Sequence, residues 1–328
     1  LAIQRIAAAL REVRRAVLTT HINADGDACG SVAAMARLLP QLGIAATVVL
    51  PTPWPDLFRF LLGRGIEDRS REWERSLRET EAIIALDVSD VSRLGQLAVT
   101  VRDLEVPRIA IDHHVLTDEP AGDVLLADAT ACATGELVFD FALELGLEVT
   151  PAVAEAVYCA ILTDTGGFRY SNTSPRAHAI AAVLLQRGVD PESTYRRIYA
   201  SYSPQRLQLL REALATLGVD QEHGIAWISL SNEVLQRYEV SSEDLDGIVE
   251  HPRSIAGTRV ALFFRDLGHG KVKVSLRSTG DVDVNRLARM FGGGGHEKAA
   301  GALIPGPLEQ VREEVLAATR AYLRGGGP

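Results

Sequence analysis

Val17-Leu18-Thr19-Thr20-His21-Ile22-Asn23-Ala24-Asp25-Gly26-Asp27 is the stretch on which the reading of this chain turns. A short apolar, β-branched run ending among carboxylates is the pattern of a buried parallel strand that delivers its last residues to a crevice. Three further stretches repeat it. Ala82-Ile83-Ile84-Ala85-Leu86 leads to Asp87, Arg108-Ile109-Ala110-Ile111 to Asp112-His113-His114, and Ala160-Ile161-Leu162-Thr163 to Asp164. Taken singly, an Asp after such a run is commonly a helix N-cap or a turn residue. Four in order imply convergence on one site, and carboxylates packed together repel unless a cation lies between them.

Outward from these motifs the chain alternates strand and helix patterns. Ser31 to Leu39 reads as a helix, Ala45 to Leu50 as a strand, and Val124 to Leu126 as another. Thr134 is placed to cap a helix through Leu145, Pro151 starts a helix toward Leu162, and Pro175 starts one that Gly188 stops. The βαβα succession predicts an α/β domain over residues 1–188 with a doubly wound, mainly parallel sheet. Residues 189–218 read as a helical linker. Residues 219–328 read as a smaller α/β domain, with strands at Ile225 to Leu230, Val260 to Arg265 and Lys271 to Arg277. Helices are expected near Asp244 to Glu250, Val284 to Phe291 and Leu308 to Leu323, and the tail Gly325 to Pro328 is expected to be disordered.

The bulk properties agree. At 328 residues the chain exceeds what one core usually holds, and 47% hydrophobic with 23% charged residues is an ordinary globular composition. No apolar run approaches the roughly 20 residues that cross a bilayer, and no export signal is evident at the start. Cys29, Cys132 and Cys159 form an odd set without Cys-x-x-Cys spacing. They argue against a disulfide framework or a thiolate zinc site, and a cytoplasmic location is expected. A net charge of −9 disfavours a broad basic face for long nucleic acid and leaves room for a short nucleotide substrate.

The chemistry of the motifs points to metal. His21, Asp25 and Asp27 sit in one loop, and Asp25 and Asp27, alternating in direction around Gly26, can serve adjacent ions. Asp87 can bridge them, and His113 with Asp164 can complete the second position. Mixed imidazole and carboxylate ligands suit Mn²⁺, with Mg²⁺ the next candidate. Two ions about 3.5–4 Å apart stabilise both oxygens of an in-line phosphoryl displacement. His114 is placed to bind phosphate or protonate the leaving oxygen, and Asp112 to orient His113 or His114.

The set His21-x-x-x-Asp25-Gly-Asp27, Asp87, Asp112-His113-His114 and Asp164 resembles the DHH phosphoesterase superfamily. The resemblance implies that His21, Asp25 and Asp87 hold a first Mn²⁺, and that Asp27, Asp87, His113 and Asp164 hold a second. A second motif, Gly292-Gly293-Gly294-Gly295-His296-Glu297-Lys298-Ala299-Ala300-Gly301, is expected to leave backbone N–H groups open to phosphate, with His296, Lys298 and Arg277 adding donors. This segment resembles the C-terminal domain that accompanies one DHH subfamily. There it implies recognition of a nucleotide or RNA end through Arg277, Gly293, Gly294, Gly295 and His296. Arg169, just past the fourth motif, is a further phosphate candidate, and Phe168 and Tyr170 are candidates for stacking on a base.

By length and domain content the chain looks most like the NrnA-type nanoRNases. They are bifunctional enzymes that cut short oligoribonucleotides to nucleoside monophosphates and convert 3′-phosphoadenosine 5′-phosphate to AMP. The expected enzyme is then a hydrolase with two Mn²⁺ ions, acting on short RNA and 3′-phosphoadenosine 5′-phosphate, without a membrane partner. A homodimer is among the expected assemblies. A second domain closing a cleft would explain a preference for short strands. The competing readings are a cyclic- or linear-dinucleotide phosphodiesterase, a RecJ-like exonuclease, a nucleotide-sensing module with an inactive centre, and an RNA-binding domain like that fused to alanyl-tRNA synthetases.

Overall fold

A computed structural model of the chain describes residues 1–63, 65–115, 117–200, 203–238, 245, 247–295 and 297–325. Its backbone divides into two compact units, Leu1–Ala200 and Ser201–Pro328, so the division falls inside the segment read as a linker.

The first unit runs α1 (Ala2–Ala9), β1 (Arg15–Thr19), α2 (Gly26–Leu38), β2 (Ala45–Val48), β3 (Glu67–Asp68), α3 (Trp73–Glu79), β4 (Ala82–Leu86), α4 (Ala98–Asp103), β5 (Arg108–Asp112) and β6 (Val124–Ala127). Four helices follow: α5 (Thr134–Glu144), α6 (Pro151–Asp164), α7 (Pro175–Gln186) and α8 (Pro191–Tyr199). The strands are ordered β3-β2-β1-β4-β5-β6, and every neighbouring pair is parallel. The chain leaves β1 toward β2 and β3, then returns to pair β4 with the other edge of β1. That reversal is a topological switch point, where a parallel sheet opens a crevice beyond its strand ends. The central strands are buried on both faces. Ala16 and Leu18 join Ile84, Leu86, Ile109 and Ile111 in the core beneath the helices of one face. Val17, Ile83, Ala85 and Ala110 meet Leu77, Leu97 and Val101 on the other. This is the doubly wound arrangement expected from the near-continuous apolar runs.

The second unit runs α9 (Pro204–Ala215), β7 (Gly218–Asp220), β8 (Ile225–Leu230), α10 (Asn232–Arg237), α11 (Glu250–Arg253), β9 (Val260–Asp266), β10 (Lys271–Ser278), α12 (Val284–Arg289), β11 (Gly294–Gly295), β12 (Ala299–Pro305) and α13 (Leu308–Leu323). Its sheet is mixed, ordered β11-β12-β10-β9-β8-β7, with β8 and β9 parallel and the other pairs antiparallel. Val272, Val274 and Leu276 alternate with polar residues along β10 and pack under Val311, Val315 and Leu316 of α13. Among the described residues no helix is long and apolar enough to cross a membrane.

Three local expectations are corrected. Helix α2 begins at Gly26 rather than Ser31, because Asp25 caps it by accepting from Ala28 N–H at 3.0 Å. Asp27 therefore lies in the first helical turn and does not alternate with Asp25 along a loop. The run Ala160 to Thr163 is no strand: it is the last turn of α6, which Thr150 caps and Pro151 opens. That helix is apolar nearly all round, which erases the period separating helix from strand. Of the helix expected near Asp244 to Glu250, Asp244 and Asp246 lie outside the described residues, Gly247 to Val249 form a turn, and α11 begins only at Glu250. The tail beyond Gly325 also lies outside them.

Candidate metal centre

The switch point gathers the acidic motifs at the carboxyl ends of β1, β4 and β5. His21 follows β1, Asp87 follows β4, and Asp112 ends β5. Asp27 comes from the first turn of α2 and Asp164 from the last residue of α6. Helices α2 and α6 cross very closely. A Cβ on Gly30 would lie 2.5 Å from Ala156 O, and one on Gly26 would lie 2.4 Å from the Thr163 side chain. Gly26 thus serves helix packing at the start of α2. Asp87 and Asn23 hold left-handed backbone, with φ of 57° and 56°. Asp and Asn tolerate that region best among residues with a side chain.

Six residues read as metal ligands meet here. His21 Nε2 lies 3.5 Å from Asp87 Oδ2 and 3.9 Å from Asp25 Oδ2. His113 Nε2 lies 3.6 Å from Asp27 Oδ2 and 3.7 Å from both Asp87 Oδ1 and Asp164 Oδ2. These distances are too long for hydrogen bonds. In each ring the other nitrogen faces a backbone carbonyl, His21 Nδ1 on Ile22 O at 2.8 Å and His113 Nδ1 on Ala131 O at 3.3 Å. A carbonyl only accepts, so Nδ1 donates there and Nε2 of each ring is the nitrogen that faces the carboxylates. An imidazole nitrogen facing several carboxylate oxygens is a donor set that a cation completes, and both candidate groups, His21–Asp25–Asp87 and Asp27–His113–Asp164, share this feature. Their donor atoms lie within 4.8 Å of one another. The residues present therefore fit hard or borderline divalent cations. A third grouping, Asp87–His113–His114, is less suited, because His114 Nδ1 is engaged by Asp112 Oδ1 at 2.8 Å.

The electrostatics express the same crowding. Burial pushes the Asp87 carboxyl well above its ordinary range, and Asp27, Asp25, Asp112 and Asp164 push it further. Burial also raises Asp27. Asp164 is pushed up to about 8, by burial first and then by Asp27 and Asp25. Asp112 goes the other way: its burial is outweighed by hydrogen bonds from the His114 ring and backbone. Burial raises the Cys29 and Cys159 thiols, so no thiolate competes for a cation.

Several supporting residues were invisible in the motifs. Both Asp27 oxygens accept from the start of α5, Oδ2 from Thr134 N–H at 2.7 Å and Oδ1 from Gly135 N–H at 2.9 Å, and Ser31 Oγ adds a bond at 3.0 Å. Thr134 was read as a cap. Ala133 takes the cap position without a side-chain bond, and the Thr134 hydroxyl donates to Asp87 instead. Asn172, in the turn before α7, donates to Asp164 Oδ2 at 3.2 Å and to Cys132 O at 3.0 Å. Only Ser31 stands at a legible helical spacing, four residues from Asp27; the others are brought in by tertiary structure.

The substrate candidates look different from their expectation. Arg169 is exposed, with Nε donating to Gly166 O at 2.6 Å. Phe168 stacks on His178, with ring centroids 5.1 Å apart, rather than standing open to a base. In the second unit the glycine loop does not expose a row of open N–H groups. Gly292 and Gly293 donate to Arg289 O and Ala288 O, Gly295 donates to Asn285 Oδ1, and Gly294–Gly295 pair with β12. Gly293 and Gly295 are required by close approach, since a Cβ would lie 2.2 Å from Gly301 O on the first and 2.5 Å from Ala299 O on the second. Lys298 Nζ bonds Gly280 O and Val282 O, so its charge is not held out for a ligand. Arg277 pairs with Glu250 at 3.3 Å. His296 lies outside the described residues.

A doubly wound sheet with an imidazole–carboxylate centre at its switch point, followed by a separate mixed-sheet unit, defines a class of two-unit proteins with a candidate divalent-cation site. Family comparison agrees. Residues 15–161 match the model for the DHH family N-terminal domain, and residues 229–325 that for the DHHA1 domain. The bifunctional oligoribonuclease and PAP phosphatase NrnA of Thermus thermophilus is 34% identical over 311 residues, covering 94% of this chain and 90% of that protein. The chain belongs to the DHH family. A crystal structure of an exopolyphosphatase-related protein from Bacteroides fragilis superposes with a TM-score of 0.91 at 29% identity, over 98% of this chain and 97% of that one. Exonuclease RecJ bound to manganese shares the fold at a TM-score of 0.53 and 16% identity, over 98% and 93% of the two chains.

Proposed function

We propose that this chain is a metal-dependent phosphoesterase that hydrolyses very short RNA to nucleoside monophosphates and 3′-phosphoadenosine 5′-phosphate to AMP. The observation that carries the reading is the placement of Asp87. Its Oδ2 faces His21 and its Oδ1 faces His113, so one carboxylate serves two ligand groups. The relative from Thermus thermophilus, with the same reach along the chain, supports the choice of substrates.

His21, Asp25 and Asp87 would hold one cation, and Asp27, Asp87, His113 and Asp164 the other, with Mn²⁺ the first candidate and Mg²⁺ the second. When bound, the pair supplies Lewis acidity and charge compensation at the transferring phosphoryl group. The chain's own residues do the rest. The start of α5 and Asn172 keep Asp27 and Asp164 aimed inward. Asp112 fixes the His114 ring through Nδ1, which leaves proton transfer to the leaving oxygen as the role of Nε2. Arg169 in the first unit, and Arg277 and His296 in the second, are the substrate contacts we assign, with Gly293, Gly294 and Gly295 forming the loop beside them. The closed hydrogen-bonding of the glycine loop favours a supporting role for those glycines, with Arg277 carrying the phosphate contact. Three free, buried cysteines support action in the reducing cytoplasm.

Product analysis on 5′-labelled RNA dimers to pentamers with added Mn²⁺, alongside phosphate release from 3′-phosphoadenosine 5′-phosphate, tests this. Monophosphate release from dimers and AMP formation are expected. Absence of both, or equal rates on dimers and long single strands, contradicts it.

A further inference from the structure

Asp87 can serve two ligand groups only if its carboxylate is held in one rotation, with an oxygen toward each imidazole. Within the acidic motifs, the imidazoles of His21, His113 and His114 stand 3.5, 3.7 and 3.6 Å from its oxygens, distances too long for a firm hydrogen bond. The left-handed backbone at Asp87 does not itself fix the carboxylate plane, which turns about its last bond, a broad and soft torsion. One neighbour removes that freedom. Thr134 is fully buried, and its hydroxyl lies 3.1 Å from Asp87 Oδ1. A carboxylate oxygen accepts, so the hydroxyl donates. The oxygen it holds is the one that faces His113, at 3.7 Å. The other oxygen is thereby left facing His21, at 3.5 Å.

The same residue grips the second ligand group by its backbone. Thr134 N–H donates to Asp27 Oδ2 at 2.7 Å, the oxygen nearest His113. Gly135 N–H takes the other Asp27 oxygen. Threonine at a helix start ordinarily turns its hydroxyl to the helix's own N–H groups. Here the opening N–H groups of α5 are satisfied by Asp27, 107 residues away, and the hydroxyl is released to Asp87. One residue thus links carboxylates from α2 and from the end of β4, and sets their spacing across His113.

We propose that Thr134 is a positioning residue of the metal centre: its hydroxyl fixes the shared Asp87 carboxylate so that one oxygen serves each ligand group. This rests on the two-cation reading above and goes beyond it, because the family motifs give Thr134 no part. Groups that orient metal ligands typically matter by 10–100-fold in metal affinity. The effect should fall mainly on the Asp27–His113–Asp164 side, whose Asp87 oxygen loses its donor.

The test is Mn²⁺ titration of the full chain by calorimetry and by electron paramagnetic resonance, without substrate, for wild type, Thr134→Val and Thr134→Ser. Valine keeps the shape and the backbone bonds to Asp27 and removes only the hydroxyl; serine retains it. The wild type is expected to take up Mn²⁺ in two steps. Thr134→Val should weaken at least one step by about 10–100-fold with a metal-free Tm close to wild type, and Thr134→Ser should restore it. Should valine prevent folding, Thr134→Ala against Thr134→Ser makes the same comparison. Wild-type affinity in Thr134→Val, or equal loss in the valine and serine variants, overturns the role of the hydroxyl alone. A wild type that binds no Mn²⁺ sinks the metal centre itself, and the two failures are therefore distinguishable.

Discussion

At the residue scale, the centre is a set of carboxylates kept together against their own repulsion. Asp87 is 2% exposed and Asp27 1%, so neither can turn to water for relief. Replacing Asp87 by Ala should remove the shared ligand and lower hydrolysis of an RNA dimer by at least about 10²–10³-fold, the scale of losing one stabiliser of transition-state charge. The circular dichroism spectrum should stay near wild type, because Asp87 contributes charge rather than packing. Full turnover by Asp87→Ala would end the catalytic reading.

The same crowding makes a pH prediction for the metal-free protein. Asp87 is raised and Asp164 sits at about 8, against 3.8 for an ordinary Asp. The folded chain then keeps protons that the unfolded chain releases. That contribution to stability is complete below about pH 4 and is lost as pH rises through about 8. In metal-free protein it lowers Tm from about pH 5 toward pH 8, and added Mn²⁺ should raise Tm more at the upper end, where it no longer displaces protons. Thermal scans with and without Mn²⁺ at several pH values check the sign. A metal effect equal at all pH values would contradict it.

At the element scale, the close crossing of α2 and α6 decides where two ligands stand. Asp27 rides on the first turn of α2 and Asp164 on the last residue of α6. Gly30 lets the helices approach until a Cβ would press within 2.9 Å of Ala160 Cβ as well as on Ala156 O. Gly30→Ala must push the helices apart, at a cost of about 1–3 kcal/mol from overpacking. Because both helices carry ligands, Mn²⁺ affinity should fall together with Tm. Chemical denaturation and metal titration of the same preparation measure the two. A variant that loses neither would show that the crossing can relax without moving the site.

At the scale of the whole molecule, the two units divide the work in the proposed function. The six candidate ligands all lie in Leu1–Ala200, whereas Arg277 lies in Ser201–Pro328. Arg277→Ala should raise KM for 3′-phosphoadenosine 5′-phosphate by about 10-fold or more, as expected for losing a charged hydrogen bond, with Mn²⁺ titration unchanged. Equal KM values would remove Arg277 from substrate binding. The ion pair with Glu250 holds the guanidinium in place before substrate arrives, and both partners are partly exposed, so the pair itself is a weak competitor in water.

How much of this was readable beforehand depends on the range over which each contact acts. Strands β1, β4 and β5, the parallel sheet and the identities of His21, Asp25, Asp87, His113 and Asp164 as candidates follow from local runs of apolar residues that end in ligand chemistry. Such runs are short-range patterns, and linear order preserves them. The helical origin of Asp164 was misread because an all-round apolar helix carries no period. The closed glycine loop was misread because composition does not say which N–H groups a neighbouring strand will take. Thr134 reaching Asp87 across 47 residues, α5 donating to Asp27 across 107, and the rotation that turns one Asp87 oxygen to each histidine were settled only by tertiary structure. Those contacts are directional hydrogen bonds between elements distant in the chain, and their geometry exists only once the helices have packed onto the sheet.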